Sequence, residues 1–511
     1  MDDLRKWPCV PFWIFLGGLY SFWTWTSQLN DFGGDSAVYL LTAQHWSYFG
    51  VQNPAAAQFA SASSYPPLFP LLLTLFSAGE AWLVAHQVTA FCGVAALFVI
   101  WRCLRVSGFA LADSLFAIAV LAAVPGFYLQ ALYIHSEFLF LLFVSVCLYA
   151  VMLLELEAKP ILLVVACLAA AGAYLTRGVG LSIVAALVVY VLLNRPKKEW
   201  PIALLFAIGP VWAWMEFGQP NGGGYLAQWT ALLAQTVAPN IAKIIATQVV
   251  SLIDGYFQNL AGLGAGLSLG ILIFSFACVA TLILRMWQRK LDALFLVGYF
   301  AILLVWPFPA ERIRFVLPAI PFFVVQMLLA LHEFKLGDGG RHSSTAMRVA
   351  LVVLAITVMP SFVLAAQRQF EPMPQEMEGH RQSPEWHGVG SREARLVAVF
   401  QYRRLHASFE QLRLLVPITD CVYSIKPSLV GLFAQRVSYR FPLPNTTLGK
   451  NLDAKAAQCR YVHMVAFSSP TYSEPFYPLS RWHDHIDILN ATHFIDGDES
   501  STVLGLLGKL K

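Results

Sequence analysis

Apolar stretches long enough to cross a lipid bilayer follow one another from the N-terminus to about residue 370. A helix needs about 20 mostly apolar residues to cross the hydrocarbon core. Because lipid offers the backbone no hydrogen bonds, stretches of this kind must be helical. The sequence therefore predicts a polytopic α-helical membrane protein with about 11 spans, or about 9 to 13 if neighbours merge or split. The predicted spans are 8–28, 81–104, 109–126, 133–155, 160–176, 179–194, 200–218, 262–286, 291–308, 313–333 and 347–367.

The composition agrees with a membrane protein and argues against nucleic-acid binding. Hydrophobic residues make up 58% of the chain and charged residues 13%, whereas soluble domains average about 25% charged residues. The formal net charge of +4 is small and dispersed along the sequence, so no basic patch is predicted. The first apolar run is too long and too aromatic for a cleavable signal peptide, and we expect it to be retained as the first span.

Lysine and arginine residues are concentrated in alternate loops between the predicted spans. Positive charge favours the cytoplasmic side of a membrane. The loop with Arg195, Lys197 and Lys198 is therefore predicted to be cytoplasmic, as is every second loop before and after it. The remaining loops carry far fewer basic residues before residue 368. We therefore predict a multi-pass protein of the cytoplasmic (inner) membrane, with the N-terminus in the cytoplasm and the C-terminal segment outside.

The composition changes near residue 369, where a polar segment with several Pro and Gly residues begins. Beyond this linker, helical spacing of apolar residues and short β-like runs predict a small α/β domain. The chain thus divides into a transmembrane domain, 1–368, and an extracytoplasmic domain, 369–511. Cys421 and Cys459 both fall in the second domain, and the sequence leaves open whether they form a disulfide or remain two buried thiols.

Unusual charged residues lie in loops that are predicted to face outward. Glu137 directly precedes an apolar span, and an ionisable residue at membrane depth is a functional candidate by default. Arg312 and Arg314 break the positive-inside pattern. Arginine binds phosphate bidentately and a carboxylate can take a proton from an attacking hydroxyl, so the combination predicts transfer from a phosphate-linked donor. Each of these residues also has a purely structural interpretation. Glu137 could be solvated at the entrance of a span, and Arg312 and Arg314 could anchor to lipid headgroups. Asp35 could cap a helix, which is the role that we expect for Asp31.

Five segments resemble the glycosyltransferase-C superfamily, in particular its branch of dolichyl-phosphate-mannose protein mannosyltransferases and lipid A aminoarabinose transferases. In chain order they are GGDSAVYLLTAQHW, YPPLFPLLLTLF, SEFLFLLF, LTRGVG and RIRFVLPAIPFF. A later segment, VPITDCVYSIKPSLVGLFAQRVS, resembles the outer domain of bacterial members. The resemblance covers nearly the whole chain. It implies an integral membrane glycosyltransferase that moves a sugar from a polyprenyl-phosphate carrier to a hydroxyl acceptor at the outer face, with inversion.

The resemblance also implies roles for individual outer-loop residues. Asp35 matches the first-loop acid that orients or deprotonates the acceptor, and Glu137 matches a second acid in a supporting role. Arg177 would contact the donor phosphate. Arg314, assisted by Arg312, would stabilise the departing phosphate. Further candidate substrate contacts on the outer segments are Tyr39, His45, Tyr65 and Lys243.

One feature departs from the pattern of the relatives. Many of them carry two adjacent acids in the first loop, whereas Ser36 follows Asp35 here. We therefore expect activity without a metal ion and predict no metal ligands and no cofactor; the alternative is a divalent cation. The expected partners are a polyprenyl-phosphate-linked sugar, a glycan, lipid or protein acceptor, and membrane lipids, with no nucleic acid. The amphipathic pieces 36–49 and 67–78 are predicted to lie along the membrane interface and to roof the site.

Two other functions fit the sequence. A transporter or flippase of a lipid-linked sugar would also use outer arginines, but it needs polar residues near the middle of the membrane. The predicted spans carry almost no central charge, which argues against transport. A non-catalytic member of the fold would act in binding or assembly, and the presence of Asp35 and Arg314 favours an enzyme over it.

Overall fold

The structure, a computed structural model, is mainly helical in the residues that it describes, with a small sheet near the C-terminus. The described residues are 9–26, 28–29, 34–48, 53–62, 65–76, 79, 81–218, 238–261, 269–305, 312–337, 342–387, 391–424, 426–440, 459–465, 486–495 and 501–510. The α-helices are α1 Val10–Trp23, α2 Asp35–Trp46, α3 Pro54–Ala62, α4 Leu68–Leu75, α5 Trp82–Val106, α6 Leu111–Ala122, α7 Pro125–Gln130, α8 Glu137–Glu157, α9 Pro160–Thr176, α10 Leu181–Asn194, α11 Trp200–Ala203, α12 Gly209–Phe217, α13 Ala238–Ala261, α14 Leu269–Trp287, α15 Leu291–Leu304, α16 Arg312–Val316, α17 Ile320–Gly337, α18 His342–Phe370, α19 Pro384–His387, α20 Arg392–Leu415 and α21 Pro427–Leu429. The strands are β1 Val422–Ser424, β2 Ser438–Arg440, β3 Tyr461–Val465, β4 Ile486–Ile495 and β5 Ser501–Leu510.

The predicted polytopic membrane fold is confirmed by these helices. Four of the apolar helices are shorter than the 18 residues that a full span needs: α1, α6, α9 and the segment that ends with α10. Helices α14 and α15 together have the length and apolarity of a span, and their axes bend by 115° at the break between them. Each predicted span coincides with one of the apolar helices, because apolar runs in lipid have no other way to satisfy their backbone groups. Among the described residues, five helices are long and apolar enough to cross a membrane by themselves: 82–106, 137–157, 197–217, 314–333 and 345–370.

Helix α8 approaches both α5 and α9 closely. Phe138 lies over Gly93 of α5, and Phe143 lies over Gly172 of α9. A Cβ atom at either glycine would come within 2.9 or 2.8 Å of the facing aromatic ring. Small residues allow such close approach where helices associate in lipid without a hydrophobic driving force. The beginning of α8, at Glu137, is therefore fixed by packing on two sides.

Buried charges stabilise the sharp turn between α14 and α15. Arg285 donates two hydrogen bonds to Asp292, of 2.7 and 3.2 Å, and one of 2.7 Å to Glu333 of α17. Lys290, in the turn, pairs with Glu155 near the end of α8 at 3.2 Å. Buried charges are tolerated when they are paired. Charge pairs between helix ends thus fix the end of the bundle at which α8 finishes.

The C-terminal residues form the predicted small α/β domain. Its strands lie in the order β2-β1-β3-β5-β4. Strand β1 runs parallel to both of its neighbours, β2 and β3. Strand β5 runs antiparallel to both of its neighbours, β3 and β4. Helix α20 packs against β4 and β5. A disulfide joins Cys421, just before β1, to Cys459, just before β3, with 4.8 Å between the Cα atoms. Of the two states that the sequence left open, the structure has the cross-linked one.

The chain folds into two compact units. The predicted domain boundary, after residue 368, falls near the end of α18. The second unit contains the C-terminal domain, and it also contains most of the first outer loop, which the sequence grouped with the membrane domain. Helices α2, α3 and α4 occupy this loop, where two amphipathic pieces were predicted. The first unit is Met1–Trp25, Ser64–Phe69 and His86–Phe370, and the second is Thr26–Ser63, Pro70–Ala85 and Glu371–Lys511.

Candidate active site

Glu137 opens helix α8 and is buried almost completely. Its side chain is 1% exposed, although it is an ionisable group at the entrance of an apolar span. The first turn of a helix favours an acidic side chain, because the helix dipole is positive there. That effect is too small to offset the burial of a lone charge, so the carboxylate requires cationic partners.

Two arginines from different parts of the first unit supply those partners. Arg177 follows the end of α9, and its Nη1 lies 2.5 Å from Oε1 of Glu137. The same nitrogen donates a hydrogen bond of 3.3 Å to Oγ of Ser136. Arg314, in α16, donates from Nε to the same Oε1 of Glu137. We call Glu137, Arg177 and Arg314 the arginine cluster.

The arginine cluster brings two guanidinium groups to one oxygen of a buried carboxylate. The arginine side chains are 11% and 14% exposed, whereas the carboxylate is sealed. Each guanidinium is a planar group with five N–H donors, and its geometry matches the oxygens of a carboxylate or a phosphate. The carboxylate holds the two groups side by side, and the arrangement is suited to binding an anion.

An aromatic side chain completes the arginine cluster. The Cζ atoms of Arg177 and Arg314 lie 5.2 and 5.8 Å from the ring centre of Phe315, which is within cation–π range. Tyr299, fully buried in α15, donates a hydrogen bond of 2.6 Å to the carbonyl of Phe315. This bond fixes the backbone beside Arg314. Sequence reasoning missed Phe315 and Tyr299, although Phe315 directly follows Arg314 in the RFVLP segment.

The second carboxylate oxygen of Glu137 is buried and accepts no hydrogen bond from any described residue. Buried polar atoms are nearly always hydrogen-bonded. Both arginines meet the other oxygen. The two arginines therefore bind Glu137 through a single oxygen, and the other oxygen faces the interior of the protein.

The other predicted outer residues of the first unit are less informative. Tyr65 is half-buried. Lys243 and Arg312 lie in α13 and α16, but their side chains fall outside the described residues, as do Asp31 and Glu311. Within the part of the chain that the structure describes, no three His, Cys, Asp or Glu side chains come together as a metal site. The expected independence of metal ions remains a prediction.

Asp35, Tyr39 and His45 belong to the second compact unit. Asp35 is the first residue of α2 and is half-buried. It follows Gly34, whose φ of +102° is a backbone conformation that side chains other than glycine rarely adopt. Tyr39 is buried one turn further along α2, and His45 is exposed in its last turn.

The apolar helices and the small sheet domain have the glycosyltransferase-C fold. Two solved structures resemble it over nearly its full length. Both are crystal structures of ArnT from Cupriavidus metallidurans, a lipid A aminoarabinose transferase, one bound to undecaprenyl phosphate and one in the apo state. Each has a TM-score of 0.51 and 12% sequence identity, and the match covers 98% of this chain and 97% of ArnT. No protein-family profile matches the sequence, and no curated protein is significantly similar to it.

Proposed function

We propose that the protein is a membrane glycosyltransferase that transfers a sugar from a polyprenyl-phosphate carrier to a hydroxyl group of an acceptor. The observation that carries this proposal is the arginine cluster, a preformed anion site at the end of an apolar span. The fold supports it, because a structure with the same fold holds undecaprenyl phosphate.

The location of the cluster suits a phosphate that is attached to a lipid. A polyprenyl tail stays in the hydrocarbon core, so its phosphate lies where a span ends. Arg177 and Arg314 would bind the phosphate oxygens through their planar guanidinium groups, and Arg312 would assist. Glu137 would act as a positioning residue that keeps both guanidinium groups at the site. Tyr39, His45, Tyr65 and Lys243 remain predicted substrate contacts.

The proposed reaction is a single displacement at the anomeric carbon. Asp35 takes the proton of the acceptor hydroxyl, and the acceptor oxygen forms a bond to the anomeric carbon. The bond between that carbon and the phosphate oxygen breaks, and the electron pair leaves with the polyprenyl phosphate. The arginines stabilise the negative charge that develops on the departing phosphate. Attack from the face opposite the phosphate inverts the configuration of the sugar.

The disulfide supports an extracytoplasmic location for the C-terminal domain. Disulfides persist in oxidising compartments and are rare in the cytosol, and the bond between Cys421 and Cys459 lies in this domain. Together with the distribution of basic residues, it favours a protein of the inner membrane with its N-terminus in the cytoplasm. We propose that the segment 369–511 shapes access of the acceptor to the site.

The test uses purified protein in nanodiscs and a panel of radiolabelled undecaprenyl-phosphate sugars with a cell-envelope extract as the source of acceptor. Release of undecaprenyl phosphate and the new location of the label are followed for wild type and for Asp35→Asn. We expect turnover with one donor, and at least about a hundredfold loss in the variant, while binding of undecaprenyl phosphate is retained. The labelled product then identifies the acceptor.

Other outcomes would contradict the proposal. If no undecaprenyl-phosphate donor binds, the assignment of the substrate class is wrong. If a donor binds and crosses the bilayer of a proteoliposome without losing its sugar, the protein is a transporter. If Asp35→Asn keeps full turnover, the enzyme class holds but the base lies elsewhere.

A further inference from the structure

The backbone in front of Asp35 is fitted around a residue from the C-terminal part of the chain. Oγ of Ser428 donates a hydrogen bond of 3.3 Å to the carbonyl of Gly34. A Cβ atom at Gly34 would lie 2.9 Å from the same Oγ. The first turn of α2, which begins with Asp35, is thus set against Ser428, and the residue in front of it has to be glycine.

A second contact holds the end of α2 and the beginning of α3. Nδ2 of Asn53 donates to the carbonyl of Gly431 at 3.1 Å and to Oε1 of Gln44, in α2, at 3.0 Å. Gln44 in turn donates to the carbonyl of Gly79 at 2.9 Å. A Cβ atom at Gly431 would be 3.0 Å from the side chains of Ala55 and Phe59, both in α3. The two helices therefore close over Gly431 with no spare room.

A third contact lies on the outermost strand of the sheet. Gln58 of α3 donates a hydrogen bond of 2.7 Å to the carbonyl of Ser438 and accepts one of 3.2 Å from its N–H. Ser438 belongs to β2, which has no further strand beside it in the sheet of the described residues. The amide of Gln58 takes the place of that strand. Sheet edges commonly need such cover.

The C-terminal side of these contacts is itself well supported. We call Pro427–Ala434 the clamp segment; it consists of α21 and a turn of π-helix. Oγ of Ser438 donates to the carbonyl of Pro427 at 2.6 Å. The ring of Phe433 packs against His406 of α20 at 4.6 Å and against Trp82 at 5.3 Å. The clamp segment therefore connects a long helix of the C-terminal domain to both ends of the first outer loop.

We propose that the clamp segment positions Asp35 for catalysis, with Ser428 and Gly431 as positioning residues. The inference rests on the proposed function, in which Asp35 is the base. A base must lie within hydrogen-bond reach of the proton that it removes. A misplacement of about 1 Å can cost about a hundredfold in rate. Since α2 is only 12 residues long, contacts at its two ends determine where Asp35 lies.

The experiment measures the position of α2 and its consequence separately, on the full-length protein in nanodiscs. Hydrogen–deuterium exchange of peptides that cover 34–46 reports how firmly α2 is held. Turnover with the undecaprenyl-phosphate sugar found for the wild type reports catalysis. The variants are Ser428→Ala, Gly431→Val and Ser428→Thr, which restores a hydroxyl. The matched control is Ser408→Ala, which removes a hydroxyl that contacts His463 within the same domain.

We expect several-fold faster exchange at 34–46 in Ser428→Ala and Gly431→Val. In both variants kcat should fall about tenfold, the KM for the donor should stay unchanged, and Ser428→Thr should recover part of the loss. Ser408→Ala should leave both readouts at the wild-type value.

Unchanged exchange at 34–46 in both clamp variants overturns the proposal. Faster exchange with unchanged kcat, in a protein whose Asp35→Asn variant is inactive, shows that the contact exists but does not serve catalysis. Full activity of Asp35→Asn would instead reject the proposed base.

Discussion

The arginine cluster and the clamp segment each hold a candidate active-site group in place, but they do so by different physical means. In the cluster, two charged groups converge on one buried carboxylate oxygen. In the clamp, neutral hydroxyl and amide groups bond to backbone atoms, and glycines allow the close approach. Charge-assisted hydrogen bonds are about twice as strong as neutral ones. We therefore expect the arginine cluster to be disrupted by substitutions that change charge, and the clamp segment by substitutions that add side-chain volume.

The largest effect is expected where the charge of the cluster is removed. Glu137→Gln removes the negative charge with which both guanidinium groups pair, and breaking a buried pair in this way costs about 3–5 kcal/mol. Turnover should fall at least about a hundredfold. Glu157→Gln, at the other end of α8, is the matched control, because its pair with Lys159 is largely exposed. Equal turnover in the two variants would show that the cluster is not part of the active site.

Bulk at the clamp is tested by Gly34→Ala. The added methyl group would meet Oγ of Ser428, and the alanine would have to adopt a φ of +102°. Together these two effects should raise the free energy of the folded state by about 2 kcal/mol. If that strain moves α2 and with it Asp35, the misplacement should lower turnover about thirtyfold. Gly209→Ala is the control, since nothing lies within 4 Å of a Cβ atom there. A variant with normal turnover would mean that α2 adapts, and the clamp would not control the position of Asp35.

Acid should weaken the second unit through His463. Burial lowers the pKa of His463 to about 3, whereas an unfolded histidine titrates near 6.5. Between these values the unfolded state binds more protons, so stability falls as the pH drops below about 6.5. The loss at pH 5 should be about 2 kcal/mol. Protection of α20 and β3 in hydrogen exchange at pH 7 and pH 5 measures it. The difference should shrink in His463→Gln and persist in His45→Gln, whose histidine is exposed.

A smaller effect is expected when the charge of the cluster is kept but its geometry is changed. Arg314→Lys retains the positive charge but loses the planar fork that binds carboxylate and phosphate. Binding of undecaprenyl phosphate should weaken about tenfold, with a steeper dependence on salt. Arg348→Lys, at an exposed pair with Asp113, is the control. Identical affinities would mean that Arg314 serves only as a point charge.

The smallest effect is expected from chelation. If both regions act as proposed, stabilisation of the departing phosphate comes from arginines, and no metal ion is needed. Turnover in excess EDTA should equal turnover with added magnesium or manganese. A loss of activity on chelation that is reversed by one of these ions would reject the predicted metal independence and would require ligands beyond the described residues.

The fold could be predicted from the sequence because its determinants are local. An apolar run in lipid has one way to satisfy its backbone, so the spans follow from hydropathy alone. Glu137 and Arg314 were also recognisable, because each is an exception to a rule: an acid at the mouth of a span, and an arginine on the side where basic residues are rare. Exceptions of this kind are visible in a single sequence.

The clamp could not be predicted in the same way. Its contacts join neutral side chains to backbone atoms of residues nearly four hundred positions away, and neither Ser428 nor Asn53 breaks a rule of composition or charge. The first outer loop likewise carries no pattern in the sequence that would indicate packing with the C-terminal segment. The convergence of both arginines on one oxygen of Glu137 depends on side-chain geometry, which cannot be deduced from residue types and their spacing alone.

The bond between Gly34 and Ser428 has a consequence for the order of events during synthesis. The two residues are 394 positions apart, and a ribosome adds about 5–20 residues per second. The first loop therefore leaves the ribosome about 20–80 s before the residue that completes it is made. Arg314 is made 114 residues before Ser428, so the arginine cluster is complete about 6–23 s before the contact that holds Gly34 can form. If translation stopped between these two points, the chain would contain the arginine cluster, but α2 would lack its contact with Ser428.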